Sequence, residues 1–278
     1  MKSVVYEFPD KKKLTLGDKP LIMGILNLTP DSFYDGGRYS EEAAINRAKE
    51  LIDEGADIID LGAESTRPGG TPVSAEEERL RLVPALEKIL KITTVPVSID
   101  TYRAETAETA LKMGAHIIND VDFDENMAKT MAKHNAPVIV MARNTMGNAK
   151  NTVHSFSKLI KIATDAGVLR ENIILDPGIG FIGGAEADLA AMANLEFIKE
   201  VDGREYPLLV GVSRKSFIGK VTGKPVEKRL AGTLAANALA AEHGADILRV
   251  HDVGETRDAI MMVREIGLKY GRNYINGT

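Results

Sequence analysis

The stretch LIMGILNLTPDSFYDGG, residues 21–37, decides how the rest of the chain is read. Leu21 to Leu28 is a nearly unbroken apolar run with little alternation, the pattern of a strand covered on both faces, as in a parallel sheet wrapped by helices. The run stops at Asn27 and passes into Thr29, Pro30, Asp31, Ser32, Gly36 and Gly37, a loop-like composition too long for a simple turn. In the first strand of a β/α barrel, Asn27 would face the catalytic mouth.

Outward from this stretch the chain alternates. Residues 1–20 hold short apolar pieces around a charged DKKK turn and suit an N-terminal extension, a hairpin or lid closing the barrel bottom. After it, EEAAINRAKELIDEGA has helical spacing, with Ser40 as N-cap and Gly55 as terminator. Strands are then expected at 57–62, 95–101, HIINDV, APVIVMA, NIILDPGIG, YPLLVGVS and DILRVHDV, each followed by a helical segment. Among the helices are one rich in acidic residues at its start through AEEERLRLVPALEKIL, one near 125–134, one from about Glu186 to Lys199, and a last one from Glu255 to Tyr270. About eight strand–helix units in a chain of 278 residues predict a single (β/α)8 TIM barrel over 21–278; a doubly wound open sheet is the competing architecture.

Composition narrows the function. The chain is 44% hydrophobic, carries a net charge of −5 with dispersed basic residues, and has no cysteine. No general nucleic-acid or anionic-membrane surface is expected, and neither are disulfides, thiolate metal sites or a cysteine nucleophile. Without a signal-like or membrane-length apolar run, the reading is a soluble cytoplasmic protein.

Asn27, Glu64, Asp100, Asn119, Asp176, Arg214 with Lys215, and Arg249 with His251 all fall at or just beyond predicted strand ends, which converge on one mouth in a TIM barrel. Asp100, Asn119 and Asp176 suit a flat heterocycle with adjacent N–H donors, because a carboxylate accepts two parallel bonds; a hard cation is the alternative ligand. Arg67 in ESTRPGG, Arg214 and Lys215 in SRKS, and Arg249 and His251 in RVHDV form a cationic set, and SRKS and RVHDV follow strands 7 and 8, where barrels commonly hold phosphate. Within that set Arg214 reads equally as a partner for a neighbouring carboxylate, whereas Arg249 is a cation inside an apolar strand. His251 reads as an anion contact and the other four histidines receive no role. Pro177 and the glycines of DPGIGF predict a tight exit that places Phe181 over a ring.

These segments, GILNLTPDSFYDGG, DLGAESTRPG, VPVSIDTYRAETAETAL, GAHIINDV, ILDPGIGF, LLVGVSRKSFIG and RVHDV, lie in an order that strongly resembles the dihydropteroate synthases of the pterin-binding TIM barrels. The resemblance covers nearly the whole chain from residue 21. It implies condensation of 6-hydroxymethyl-7,8-dihydropterin diphosphate with 4-aminobenzoate, with diphosphate released, and hence a sulfonamide target. By position, Asp100, Asn119, Asp176 and Lys215 would hold the pterin, with Met141 and Phe181 near its ring. Asn27 would bind Mg2+ with the diphosphate, and Arg67, Arg249 and His251 would contact its oxygens. Thr66, Pro68 and Ser216 would shape the aminobenzoate site; Asp100, Lys215 and Arg249 would be catalytic. A homodimer through barrel helices is also implied. The chain departs from the family pattern at Met141-Ala142-Arg143, where Met-His-Met is usual, at Ile182-Gly183, where Gly-Lys is usual, and at Asp188, where Asn is usual. Alternatives on the same barrel are a noncatalytic or altered-arylamine pterin-binding homologue and a pterin-dependent corrinoid methyltransferase.

Overall fold

The computed structural model describes residues 4–17, 19–28, 34–35, 38–39, 41–64, 73–181 and 183–270. Eight parallel strands form its centre: β1 Leu21–Asn27, β2 Ile58–Gly62, β3 Val97–Asp100, β4 Ile117–Asp120, β5 Val138–Met141, β6 Ile173–Asp176, β7 Leu209–Val210 and β8 Ile247–Val250. Their order, β6-β5-β4-β3-β2-β1-β8-β7, is a cyclic run with no switch point, so the open doubly wound alternative is excluded. A parallel bridge between Leu175 and Leu208, with Leu175 N–H donating to Pro207 O at 2.8 Å, joins the two ends into a barrel. Among the described residues no helix is long and apolar enough to cross a membrane.

Helices surround the strands as the apolar spacing expects. The helix Ala75–Ile92 is capped by Ser74 Oγ, which accepts from Glu77 N at 3.1 Å, and its first turn carries Glu76, Glu77 and Glu78 where the helix dipole favours acids. The helix Glu41–Asp53 ends at Gly55, whose φ of 95° a side chain would disfavour; Ser40 lies outside the described residues.

Two expectations are corrected locally, and two elements are added. The strand expected over 206–213 is regular only at Leu209–Val210, with Leu208 adding the isolated bridge to Leu175; Pro207 has no N–H, and Leu208 N donates to Asp246 Oδ2 at 2.8 Å. The helix expected from Glu186 to Lys199 breaks at Asn194 into Ala185–Ala193 and Leu195–Ile198; the Asn194 side-chain amide donates to Ala190 O at 2.7 Å, competing with the helical ladder. A hairpin follows, Glu200–Val201 with Arg204–Glu205, turning at Asp202 and Gly203 with φ of 52° and 74°, the left-handed pair that an Asp-Gly turn uses. A further helix, Ser216–Thr222, enters directly behind Lys215.

Alternation along the strands builds the interior in layers. Leu21, Met23, Ile58, Ile117, Ile139, Ile174, Leu209 and Ile247 form an apolar floor with Tyr6, Phe8, Leu14 and Leu16 of an N-terminal antiparallel hairpin, Val4–Glu7 with Lys13–Leu16. His116 stitches hairpin to barrel: its Nδ1 accepts from Val97 N at 3.0 Å, its Nε2 lies 3.0 Å from Asp10 Oδ2, and Phe8 meets its ring edge-on at 4.8 Å between centroids. The opposite strand faces, among them Ile22, Leu61, Ile99, Val140 and Leu248, pack beneath the helices.

Leu16 is fully buried in the floor cluster, so Leu16→Ala is expected to lower unfolding free energy by about 2–4 kcal/mol, read as a fall in urea midpoint at unchanged slope. Val5→Ala on the exposed face of the same hairpin should stay within about 0.5 kcal/mol.

Candidate functional site

Two residues further along, five of the eight strands point a polar side chain inward, and there the interior turns polar. Ile58 is followed by Asp60, Ser98 by Asp100, Ile117 by Asn119, Ile139 by Met141, Ile174 by Asp176 and Ile247 by Arg249. The change of character is thus a property of one layer at the C-terminal end of the barrel, where TIM-barrel sites are built. Across the sheet, Asn27, Gly62, Asp100 and Asn119 are successive Cα partners on β1 to β4, and Asp176 partners Met141. A Cβ at Gly62 would press on Asp100, standing 3.3 Å from its Cβ, so a side chain there would need Asp100 to give by a few tenths of an ångström.

Arg249 lies at the centre. Its Nε donates to Asp60 Oδ2 at 2.6 Å and its Nη2 to Asp100 Oδ2 at 2.7 Å, while Asn119 Nδ2 donates to the same Asp60 oxygen at 3.2 Å. Burial opposes the guanidinium charge, but the carboxylates of Asp60 and Asp100 outweigh it and hold Arg249 protonated. Burial also pushes the Asp100 carboxyl up, to about 7, against the pull of Arg249. The Asp176 carboxyl is likewise raised by burial, opposed by Lys215 and by the Gly178 N–H, which donates to Asp176 Oδ1 at 2.8 Å. Asp60 Oδ1 and Asp100 Oδ1 are buried and have no hydrogen-bond partner among the described residues. Buried acceptors left open in this way suit donors brought by a ligand.

Lys215 crosses toward this layer from the loop after β7. Its ammonium donates to Ile179 O and stands 4.7 Å from the Phe181 ring centroid. Its stem runs over Gly180, where a Cβ would come within 2.5 Å of Lys215 Cδ and the backbone φ is +93°, so the close approach needs glycine. Asp188 holds the same turn, accepting from Gly180 N at 2.6 Å.

A cavity of about 520 Å3 opens on this side, lined by Phe181, Lys215, Ser216, Arg249 and His251 among others. Next to it a second space of about 340 Å3 is lined by Asn27, Arg47, Arg214, His251 and Asp252. His251 borders both; its Nδ1 lies 2.9 Å from Ser213 Oγ, and its backbone carbonyl accepts from Arg47 Nη2 at 3.1 Å. Arg214 takes the carboxylate-pairing role: its Nε donates to Asp252 Oδ2 at 2.9 Å and its Nη2 to Asp252 Oδ1 at 2.5 Å.

The structure therefore brings together Asp100, Asn119, Met141, Asp176 and Arg249 in one layer, and Asn27, Phe181, Lys215, Ser216 and His251 along the adjoining space. Thr66, Arg67 and Pro68 lie outside the described residues. Asp60 and Arg47 are additions that inspection of strand ends did not supply. Asp60 carries the signal that singled out Arg249, a charge embedded in an apolar strand, here IIDLG. Arg47 lies on a helix face paired with Glu50 and Glu54 and has no such signal.

Comparison with known proteins is consistent over the whole barrel. The sequence profile described as "Pterin binding enzyme" matches residues 23–251. A dihydropteroate synthase of Clostridium beijerinckii is 48% identical over 260 residues, spanning 90% of this chain and 96% of that protein. A dihydropteroate synthase structure from Clostridium difficile, in the presence of pteroic acid, aligns with a TM-score of 0.84 at 43% identity over 90% of this chain and 98% of that one. The Xanthomonas albilineans dihydropteroate synthase with 4-aminobenzoic acid gives a TM-score of 0.88 at 37% identity over 95% and 98%. By sequence and by fold, this chain belongs to the dihydropteroate synthases of the pterin-binding enzyme family.

Proposed function

We propose that the chain condenses 6-hydroxymethyl-7,8-dihydropterin diphosphate with 4-aminobenzoate to give 7,8-dihydropteroate and diphosphate. The observation that carries this reading is the polar layer above a sealed apolar floor, with Asp60 and Asp100 each presenting a buried oxygen that has no partner among the described residues. A pterin offers a flat ring edged with N–H donors, and Asp100, Asn119 and Asp176 are spaced around the wall to accept and donate along that edge. Met141 and Phe181 would supply the apolar contact to its faces, and Lys215 would reach both the ring and the path of the amine.

In the reaction the C–O bond to diphosphate breaks, the arylamine nitrogen bonds to the pterin methylene carbon, and the nitrogen then releases a proton. Positive charge grows on the methylene as diphosphate departs, and an ionised Asp100 would stabilise it through the low-dielectric interior. Arg249, His251 and Arg67 would take the departing oxygens, and Thr66, Pro68 and Ser216 would border the amine. Asn27 offers a single neutral oxygen at the mouth, and among the described residues no group of three or more His, Cys, Asp or Glu could hold a metal by itself. That donor set fits Mg2+ brought in on the diphosphate and keeping most of its waters. The chemistry supplied by a bound Mg2+ would be neutralisation of charge on the leaving group. The same reading includes a cytoplasmic homodimer; Leu239, Met261, Met262 and Ile266 are exposed on the helices Leu230–Glu242 and Val253–Tyr270, as an interface between copies would need.

The decisive experiment is diphosphate release by the purified protein with the pterin diphosphate and Mg2+, with and without 4-aminobenzoate. Amine-dependent release with dihydropteroate formed is expected; tight pterin binding without release would support a noncatalytic homologue instead. Asp176→Ala should weaken binding of the bare pterin alcohol by at least about 30-fold in calorimetry while leaving circular dichroism unchanged, since it removes one partner of a buried charged contact. Because Asp100 titrates near 7 and is required ionised, kcat/KM for the pterin diphosphate should fall as pH drops below about 7. Asp100→Asn should lower activity about 100-fold and abolish that limb; a limb that persists in the variant would assign the titration to the substrate.

A further inference from the structure

Around Arg103 the described residues hold a buried cluster that is closed on itself. Its guanidinium lies between Glu64 and Glu78, and Tyr102, Thr101 and Thr106 supply further donors, leaving no carboxylate oxygen there without a partner. The contact between the loops after β7 and β8 differs, because it ends on a ring that lines both cavities. β7 and β8 pair Leu209 with Ile247 and Val210 with Leu248. The same separation of 38 residues recurs past the strand ends, where Ser213 meets His251 and Arg214 meets Asp252. The loop that carries Ser213 is held from behind. Arg214 has a φ of 55°, which a non-glycine residue takes only when its surroundings impose it. Here Arg214 N donates to Thr233 Oγ1 at 2.9 Å, and Arg214 O accepts from Arg229 Nη1 at 3.0 Å.

Two hydrogen bonds join the buried Ser213 Oγ to His251. The His251 backbone N–H donates to it at 3.2 Å, and the ring Nδ1 lies 2.9 Å from it. A hydroxyl has one hydrogen to give and two lone pairs to receive. With the proton of the neutral imidazole on Nδ1, both nitrogens would donate to Oγ, and the hydroxyl hydrogen would have no acceptor among the described residues. With that proton on Nε2, the hydroxyl donates to Nδ1, and both Oγ and Nδ1 are satisfied, as burial requires. An anion contact by the ring then falls to Nε2–H, in the cavities that His251 lines.

We infer that Ser213 is a positioning residue for the diphosphate half of the site, acting through His251 by fixing its tautomer and the setting of its ring. Arg47, which donates to the His251 carbonyl at 3.1 Å from the helix Glu41–Asp53, braces the same residue. A ring already in the tautomer that donates from Nε2 needs no rearrangement when the anion arrives. The inference rests on the synthase reading above for the identity of the anion, whereas the tautomer follows from the hydrogen bonds alone.

The test uses the full-length protein and begins with 15N spectra of its imidazoles, in which His251 is identified by the signal lost in His251→Gln. The neutral ring is expected to carry its proton on Nε2 in the wild-type protein and to become a mixture of both tautomers in Ser213→Ala. In that variant the Kd for inorganic diphosphate with Mg2+, read by calorimetry, and KM for the pterin diphosphate should each rise about 10-fold, the equivalent of losing one hydrogen bond. Affinity for the bare pterin alcohol should hold within about twofold, because only the anion half loses its support. Ser213→Thr keeps the hydroxyl and should recover most of the loss. A wild-type His251 with its proton on Nδ1 overturns the inference whether or not the variants fold. An unchanged tautomer in Ser213→Ala overturns it too, as do an unchanged diphosphate affinity and equal losses for diphosphate and pterin alcohol. A wild-type protein that makes no dihydropteroate defeats the synthase reading instead, and the tautomer and inorganic diphosphate measurements then decide the role of Ser213 by themselves.

Discussion

The Arg249 guanidinium sits inside a barrel above a floor of packed apolar side chains, held by Asp60 on one side and Asp100 on the other. A lone cation at that depth would be prohibitive, and so would either carboxylate without it. One guanidinium faces Asp60 and Asp100, with Asp176 also in its field and Lys215 reaching toward Asp176 from the loop after β7. Burial raises the Asp100 and Asp176 carboxyls against the pull of Arg249 and Lys215, and one oxygen each of Asp60 and Asp100 has no donor among the described residues. A ligand rich in N–H donors would complete this layer, which is why its chemistry and its incompleteness belong together.

The cluster around Arg103 is the instructive contrast. It too sets one guanidinium between two buried carboxylates, but there every carboxylate oxygen of Glu64 and Glu78 has a donor, from Arg103, Tyr102, Thr101 or Thr106. A saturated network holds backbone in place; an unsaturated one is open to a ligand. The hairpin and floor serve both by closing the far end of the barrel, so that a ligand meets a wall of packed side chains rather than a water-filled channel.

Much of the site was legible because barrel topology turns strand ends into neighbours. Asp100, Asn119, Asp176 and Arg249 were each found as polar residues terminating or interrupting apolar runs. Asp60 escaped because it lies mid-strand, although counting by twos from Ile58 places it inward with the rest. The Asp202-Gly203 hairpin carried an ordinary turn signal that a long helix expectation obscured. The seven-residue helix Ser216–Thr222 was too short for periodicity to reveal.

By itself the sequence determined the order of strands and helices, the alternation that separates floor from helix-facing side chains, and the motifs that define the family. These follow from local conformational preference and from patterns of period 2 and 3.6, which the covalent chain carries within a few residues. Only the tertiary structure decided which charges meet. Arg249 finds Asp60 across 189 residues, while Arg214, close by in the cationic set, turns to Asp252 at the rim. The ionisation of Asp100 was equally beyond the sequence, because it depends on burial and on distances across the barrel, where low polarisability makes a few ångströms decisive.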